Sequence, residues 1–128
     1  MRILIVDDSE DSRDLIEAAL VSGGYSDICV ADSASAAFGL MDIGVTSSNG
    51  APQVDVVLLD VVMPEMDGIE ACARIRGDTR YSDTPIIMVT SVADADTPSI
   101  AFEAGADDYF TKPVDREALL VCIRGGLV

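Results

Sequence analysis

A chain of 128 residues with 49% hydrophobic side chains has the size of one domain and the apolar content of a folded one. Eight basic residues against 23 acidic ones give a net charge of −15, which excludes direct nucleic-acid binding because that affinity rests on Lys and Arg neutralising phosphates. No apolar run reaches the roughly 18 residues that a membrane span needs, and Met1-Arg2 leads straight into a strand-like run without an export leader, so one cytoplasmic domain over residues 1–128 is expected.

The first run, Arg2-Ile3-Leu4-Ile5-Val6, is rich in β-branched residues and nearly continuous, the pattern of a strand buried on both faces. It ends in Asp7-Asp8, after which Ser9 supplies a helix N-cap and Glu10-Asp11 the acids favoured in a first turn. Leu15, Ile16, Ala19 and Leu20 share one helical face, and Gly23-Gly24 supplies the stop. A short strand, Ile28-Cys29-Val30, precedes a helix that begins near Ser33 and turns Ala37, Leu40 and Met41 inward. Thr46 to Pro52 is polar and turn-rich and reads as a mobile loop. Val54 to Leu59 is the third strand, ending in Asp60. The loop Met63-Pro64-Glu65-Met66-Asp67-Gly68 follows, and Ile69, Cys72 and Ala73 resume helical spacing up to Gly77. Pro85 opens a fourth strand, Ile86 to Val89, ending in Thr90. Thr97-Pro98 is a good N-cap and first-turn pair for a helix carrying Ile100, Ala101 and Ala104 and closed by Gly105. Tyr109 to Thr111 is the fifth strand, ending in Lys112-Pro113. Asp115 caps a last helix with Leu119, Leu120 and Ile123 on its inner face, ending at Gly125-Gly126. The three cysteines form no Cys-x-x-Cys pair and have no histidine to complete a zinc site, so they read as reduced core thiols.

Strand and helix alternate five times, which demands a parallel sheet covered on both faces. The expected fold is α/β, a doubly wound five-stranded parallel sheet in the order 2-1-3-4-5, a flavodoxin-like three-layer αβα sandwich with its ligand crevice at the carboxyl ends of strands 1 and 3. All the polar strand ends then meet at one edge. Asp7, Asp8 and Asp60 cannot all stay ionised there cheaply unless a hard, oxygen-preferring cation sits among them, and Mg²⁺ is the natural choice. Asp60 can attack phosphorus once cationic groups neutralise the phosphoryl oxygens. Lys112 can reach those oxygens as a point charge, with a following X-Pro bond able to adopt the cis form, and Thr90 can offer its hydroxyl. Each residue also has a plain reading, as turn, surface lysine or strand threonine. Only the set points to phosphoryl transfer.

Ile5-Val6-Asp7-Asp8, Leu58-Leu59-Asp60 through Met66-Asp67-Gly68, Val89-Thr90-Ser91, and Ala104-Gly105-Ala106-Asp107-Asp108-Tyr109 through Lys112-Pro113 together resemble the receiver domain of bacterial two-component response regulators over essentially the whole chain. The resemblance implies that Asp60 takes phosphate from a sensor histidine kinase or phosphotransfer protein. Mg²⁺ would be held by Asp8, Asp60 and the backbone carbonyl of Val62, with Asp7 in the outer shell and Lys112 and Thr90 on the phosphoryl oxygens. It also implies that Thr90 and Tyr109 act as the switch pair. The face of helix 4, strand 5 and helix 5 would then change and serve an output domain, an effector or a second copy of the chain. Tyr109 has a static alternative with its hydroxyl in water, and Phe110 is expected to point into the core. Val62 and Val92 stand where the family often carries polar side chains that position hydrolytic water, which implies a long-lived phosphoryl-aspartate.

Other functions fit less well. A haloacid-dehalogenase-type phosphatase resembles Asp-x-Asp, but the second residue after Asp60 is Val62, and no Gly-x-x-x-x-Gly-Lys-Ser/Thr cradle supports a P-loop NTPase. A receiver-like module that signals only by docking, without phosphorylation, is the serious alternative. Either way the chain is expected to be a signalling domain and not an enzyme with turnover of an external substrate.

Overall fold

The computed structural model describes residues 1–44 and 52–126. Its elements alternate along the chain: β1 (Ile3–Val6), α1 (Glu10–Ser22), β2 (Ile28–Ala31), α2 (Ala34–Met41), β3 (Val56–Leu59), α3 (Gly68–Arg76), β4 (Ile86–Thr90), α4 (Thr97–Ala104), β5 (Asp108–Thr111) and α5 (Arg116–Val121). The strands form one parallel sheet in the order β2-β1-β3-β4-β5, the doubly wound arrangement expected. The expected loop from Thr46 to Pro52 lies, except for Pro52, outside the described residues.

The continuous apolar runs of β1 and β3 have a direct cause, since both strands are buried on both faces. Leu4, Val6, Val57, Leu59 and Met88 pack with α2, α3 and α4 on one side of the sheet. Ile3, Ile5, Val56, Leu58, Ile87 and Val89 pack with α1 and α5 on the other, where Phe110 joins them as expected. The period-2 alternation of the strands thus feeds two separate cores. No helix among the described residues is long and apolar enough to cross a membrane.

Several local expectations are corrected. Ile16 and Leu20 face the sheet from α1, whereas Leu15 is 72% exposed, because one stripe of the helix already fills the available face. In α2 the stripe is Ala34, Ala37 and Met41, and Leu40 points out at 45% exposure. β3 begins at Val56 and not Val54: the N–H groups of Asp55 and Val56 both donate to the Arg2 carbonyl, which breaks the ladder there. Thr97 is the first residue of α4 and not its cap, and its N–H donates to the Asp94 carboxylate at 3.1 Å. The caps at Ser9 and Asp115 form as expected, and α2 begins where expected, with Ser33 as its cap. Cys72 and Cys122 are buried thiols, while Cys29 is half-buried on the edge strand β2, and all three are free.

At the amino-terminal ends of β4 and β5 one side chain gathers several turns. The Arg76 guanidinium, at the end of α3, donates to the carbonyls of Tyr81 (2.9 Å), Ser82 (3.0 Å), Thr84 (2.8 Å) and Gly105 (2.7 Å) and to the Asp107 carboxylate (3.0 Å). Asp107 in turn accepts from the Ile86 N–H at 2.9 Å.

Candidate functional site

The sheet register assembles the site at the opposite, carboxyl edge. Val6 pairs with Leu59, so Asp7 and Asp60 follow side by side, and Thr90 pairs with Thr111, so Lys112 follows next to them with its N–H on the Thr90 carbonyl at 2.8 Å. The Lys112 ammonium donates all three of its protons: to Asp7 Oδ2 at 2.7 Å, to Asp60 Oδ2 at 3.0 Å and to Ser12 Oγ at 3.0 Å. The other Asp60 oxygen accepts the Val62 N–H at 3.1 Å, and the other Asp7 oxygen accepts the Ser9 N–H at 2.9 Å. Asp7 and Asp60 are 1% and 5% exposed, whereas Asp8 is open to solvent.

Burial pushes the Asp7 carboxyl above its usual range, and the bonds from Lys112 and the Ser9 N–H only partly offset it. Burial alone would lower the Lys112 ammonium, but its bonds to Asp7 and Asp60 raise it on balance. The pair is therefore an ammonium held firmly charged beside a carboxylate that is costly to ionise. Asp7, Asp8 and Asp60 each offer a carboxylate oxygen, all within 4.8 Å of one another. Hard oxygen donors with one exposed member suit Mg²⁺, which keeps part of its water shell.

The loop after Asp60 is shaped by close backbone approach. A Cβ built on Gly68 would lie 1.9 Å from the Asp60 carbonyl oxygen, and the Gly68 N–H donates to the Val61 carbonyl at 2.8 Å. Glu65 holds a left-handed φ of 69°, which costs a residue with a Cβ roughly 1 kcal/mol. The Lys112–Pro113 peptide is cis. Thr90 is fully buried, and its hydroxyl oxygen accepts the Val92 N–H at 3.3 Å. Tyr109 packs against the α2–α3–α4 side and donates its hydroxyl to the Val92 carbonyl at 2.7 Å, so that hydroxyl is engaged by protein. Thr90 and Tyr109 thus share one partner in the segment between β4 and α4.

Every acid and the lysine singled out from the sequence come together here. Two contributors went unnoticed. Arg13 donates to the Asp7 carbonyl at 2.7 Å, and Ser12 bonds Lys112. Both lie on the first turns of α1, three and four residues after the Ser9 cap, a spacing that could have placed them facing the strand ends.

The chain matches the response regulator receiver domain over residues 3–124. It is 44% identical over 126 residues to the transcriptional regulatory protein YvrH of Bacillus subtilis, covering 98% of this chain and 48% of that one. It is 35% identical over 125 residues to the DNA-binding dual master transcriptional regulator RpaA of Synechocystis, covering 96% and 47%. The chain spans about half the length of these curated relatives. A putative response regulator from Chloroflexus aurantiacus has the same fold, with a TM-score of 0.84, 29% identity and coverage of 98% of this chain and 96% of that one. An α/β signalling fold with an acidic crevice and a bonded lysine is the class this site defines. The chain belongs to the receiver-domain family of two-component response regulators.

Proposed function

We propose that residues 1–128 act as a phosphoacceptor receiver: Asp60 takes a phosphoryl group from a sensor histidine kinase or phosphotransfer protein, with Mg²⁺, in the cytoplasm. The observation that carries this reading is the Lys112 ammonium bonded to both Asp7 and Asp60. A lysine in that place neutralises the acids at rest and is within reach of oxygens arriving on Asp60. In the reaction an Asp60 carboxylate oxygen forms a bond to phosphorus as the donor's P–N bond breaks, and the departing imidazole takes a proton from solvent. Asp8, Asp60 and the Val62 carbonyl would hold the cation, with Asp7 in the outer shell, and the cation would supply positive charge against the phosphoryl oxygens.

The Thr90 hydroxyl then turns from the Val92 N–H that it accepts at rest and donates its proton to a phosphoryl oxygen. Because Tyr109 is tied to the Val92 carbonyl, this exchange reorganises the segment leading into α4 and so the face formed by α4, β5 and α5. Ile100, Phe102 and Val121 are exposed on α4 and α5, which supports a role for these helices in contact with an output domain, an effector or a second copy. The test is stoichiometric labelling by acetyl phosphate with Mg²⁺, abolished in Asp60→Asn. A protein that takes no label while keeping its fold would instead be a module that signals by docking alone.

A further inference from the structure

Of the three bonds that hold the Lys112 ammonium, two go to acids that the proposed phosphoryl transfer already uses. The third goes to Ser12 Oγ at 3.0 Å. Ser12 sits on the first turn of α1, where its own N–H donates to the Ser9 cap at 3.3 Å and Ser9 in turn is bonded to Asp7. Its position is therefore fixed by the helix start and by the acid beside it. A cavity of about 590 Å³ opens between α1 and the segment Lys112 to Val114, and among the α1 residues lining it, Leu15, Ile16, Ala18 and Ala19 are apolar. Ser12 is the one polar side chain that α1 contributes to this wall. Serine is also a weaker helix former than the alanine or leucine that such a wall would favour.

We propose that Ser12 is a positioning residue for phosphoryl transfer: its hydroxyl oxygen fixes the Lys112 ammonium over the gap between Asp7 and Asp60. This inference rests on the phosphoacceptor reading. Lysine is a point charge on a flexible four-carbon stem, and two carboxylates alone leave it free to sway about the line joining them. A third acceptor, on a different element, removes that freedom. When the phosphoryl group arrives, the bond to Asp60 Oδ2 is exchanged for one to a phosphoryl oxygen, while Asp7 and Ser12 remain as fixed anchors. The ammonium then reaches the developing charge without a search, which is the preorganisation that electrostatic stabilisation requires.

The experiment is the initial rate of labelling of the intact chain by acetyl phosphate at saturating Mg²⁺, for wild type, Ser12→Ala, Ser12→Thr and Asp60→Asn. Ser12→Ala should label about three- to tenfold more slowly, the worth of one ordinary hydrogen bond, since solvent at this half-buried position screens the ammonium's charge. Ser12→Thr keeps the oxygen and should stay within about twofold of wild type. Both Ser12 variants should keep a cooperative native melt, and its shift with Mg²⁺ should match wild type, since Ser12 is not a proposed cation ligand. Labelling of Ser12→Ala at the wild-type rate overturns the inference, as does a threonine variant as slow as the alanine one. A loss of native melting in either Ser12 variant also overturns it, because the role would then be structural. If wild type itself takes no label above Asp60→Asn, it is the phosphoacceptor reading that fails, a result distinct from all of these.

Discussion

Replacing Gly68 by alanine should unsettle the site more than any other single methyl group. At a helical glycine with room around it, alanine stabilises by roughly 0.5–1 kcal/mol. Gly39, inside α2, is such a position, with nothing among the described residues within 4 Å of an added Cβ, so Gly39→Ala should raise stability by about that amount. At Gly68 the same methyl would lie 1.9 Å from the Asp60 carbonyl oxygen, 2.8 Å from its carbon and 2.9 Å from the Val61 Cα. All three are backbone atoms, so no flexible side-chain end can swing aside and the turn itself must move. Overpacking of this kind costs about 1–3 kcal/mol, and a contact so short belongs at the upper end. The net loss should be about 2–3 kcal/mol, or roughly 10 °C in melting temperature for a domain of this size. Urea unfolding of wild type, Gly39→Ala and Gly68→Ala reads both signs in one series. A Gly68→Ala midpoint at or above that of wild type, with unchanged slope, would refute the packing argument. The displaced turn also carries Asp60 and Val62, so labelling by acetyl phosphate should fall in Gly68→Ala even where the protein remains folded.

Mg²⁺ at about 100 times its dissociation constant should stabilise the fold by roughly 2.7 kcal/mol, and a flat melting temperature across the titration would count against the cation site. Asp8→Asn should remove most of that shift while leaving the metal-free protein close to wild type, because Asp8 is exposed. Among the thiols, iodoacetamide at pH 8 should modify Cys29 first, since burial holds Cys72 up to about 11 and, together with a bond to Asp108, Cys122 up to about 12. The same shifts make stability fall as pH rises above about 9: unfolded thiols lose their protons there while the native ones keep theirs, so the unfolded state binds fewer protons. Cys72→Ala should flatten that slope in an alkaline unfolding series, and an unchanged slope would exclude Cys72 as its source. Val62 and Val92 offer hydrolytic water no polar group, so the phosphoryl-aspartate should be long-lived, and decay of the acid-labile label within seconds in native buffer with Mg²⁺ would discard that idea.

The strands and their polar ends were legible because a parallel sheet sends every carboxyl end to one edge, and a run such as Ile3 to Val6 or Val56 to Leu59 has no other economical home. The acids and Lys112 could therefore be gathered without coordinates. Faces of helices were harder to read. Leu15 and Leu40 belong to apolar patterns wider than the stripe that the sheet can cover, and composition alone does not say which member is left outside. Arg76 and Ser12 were invisible for another reason. Arg76 bonds backbone carbonyls, which no side-chain pattern announces, Ser12 has its partner Lys112 100 residues away, and polar side chains on helices ordinarily face water.

The cluster around Arg76 bears on how this molecule can move. One guanidinium clamps the end of α3 to the base of β4 and to the turn before β5, so those three parts behave as a single rigid foot. The opposite ends of the same two strands carry Thr90 and Lys112, and there the lysine ties β5 to β1, β3 and α1, while among the described residues no comparable side-chain clamp reaches α4. The held end of α4 is therefore the one at Gly105, and Thr97 and Pro98, at the other end of the helix, lie farthest from that clamp.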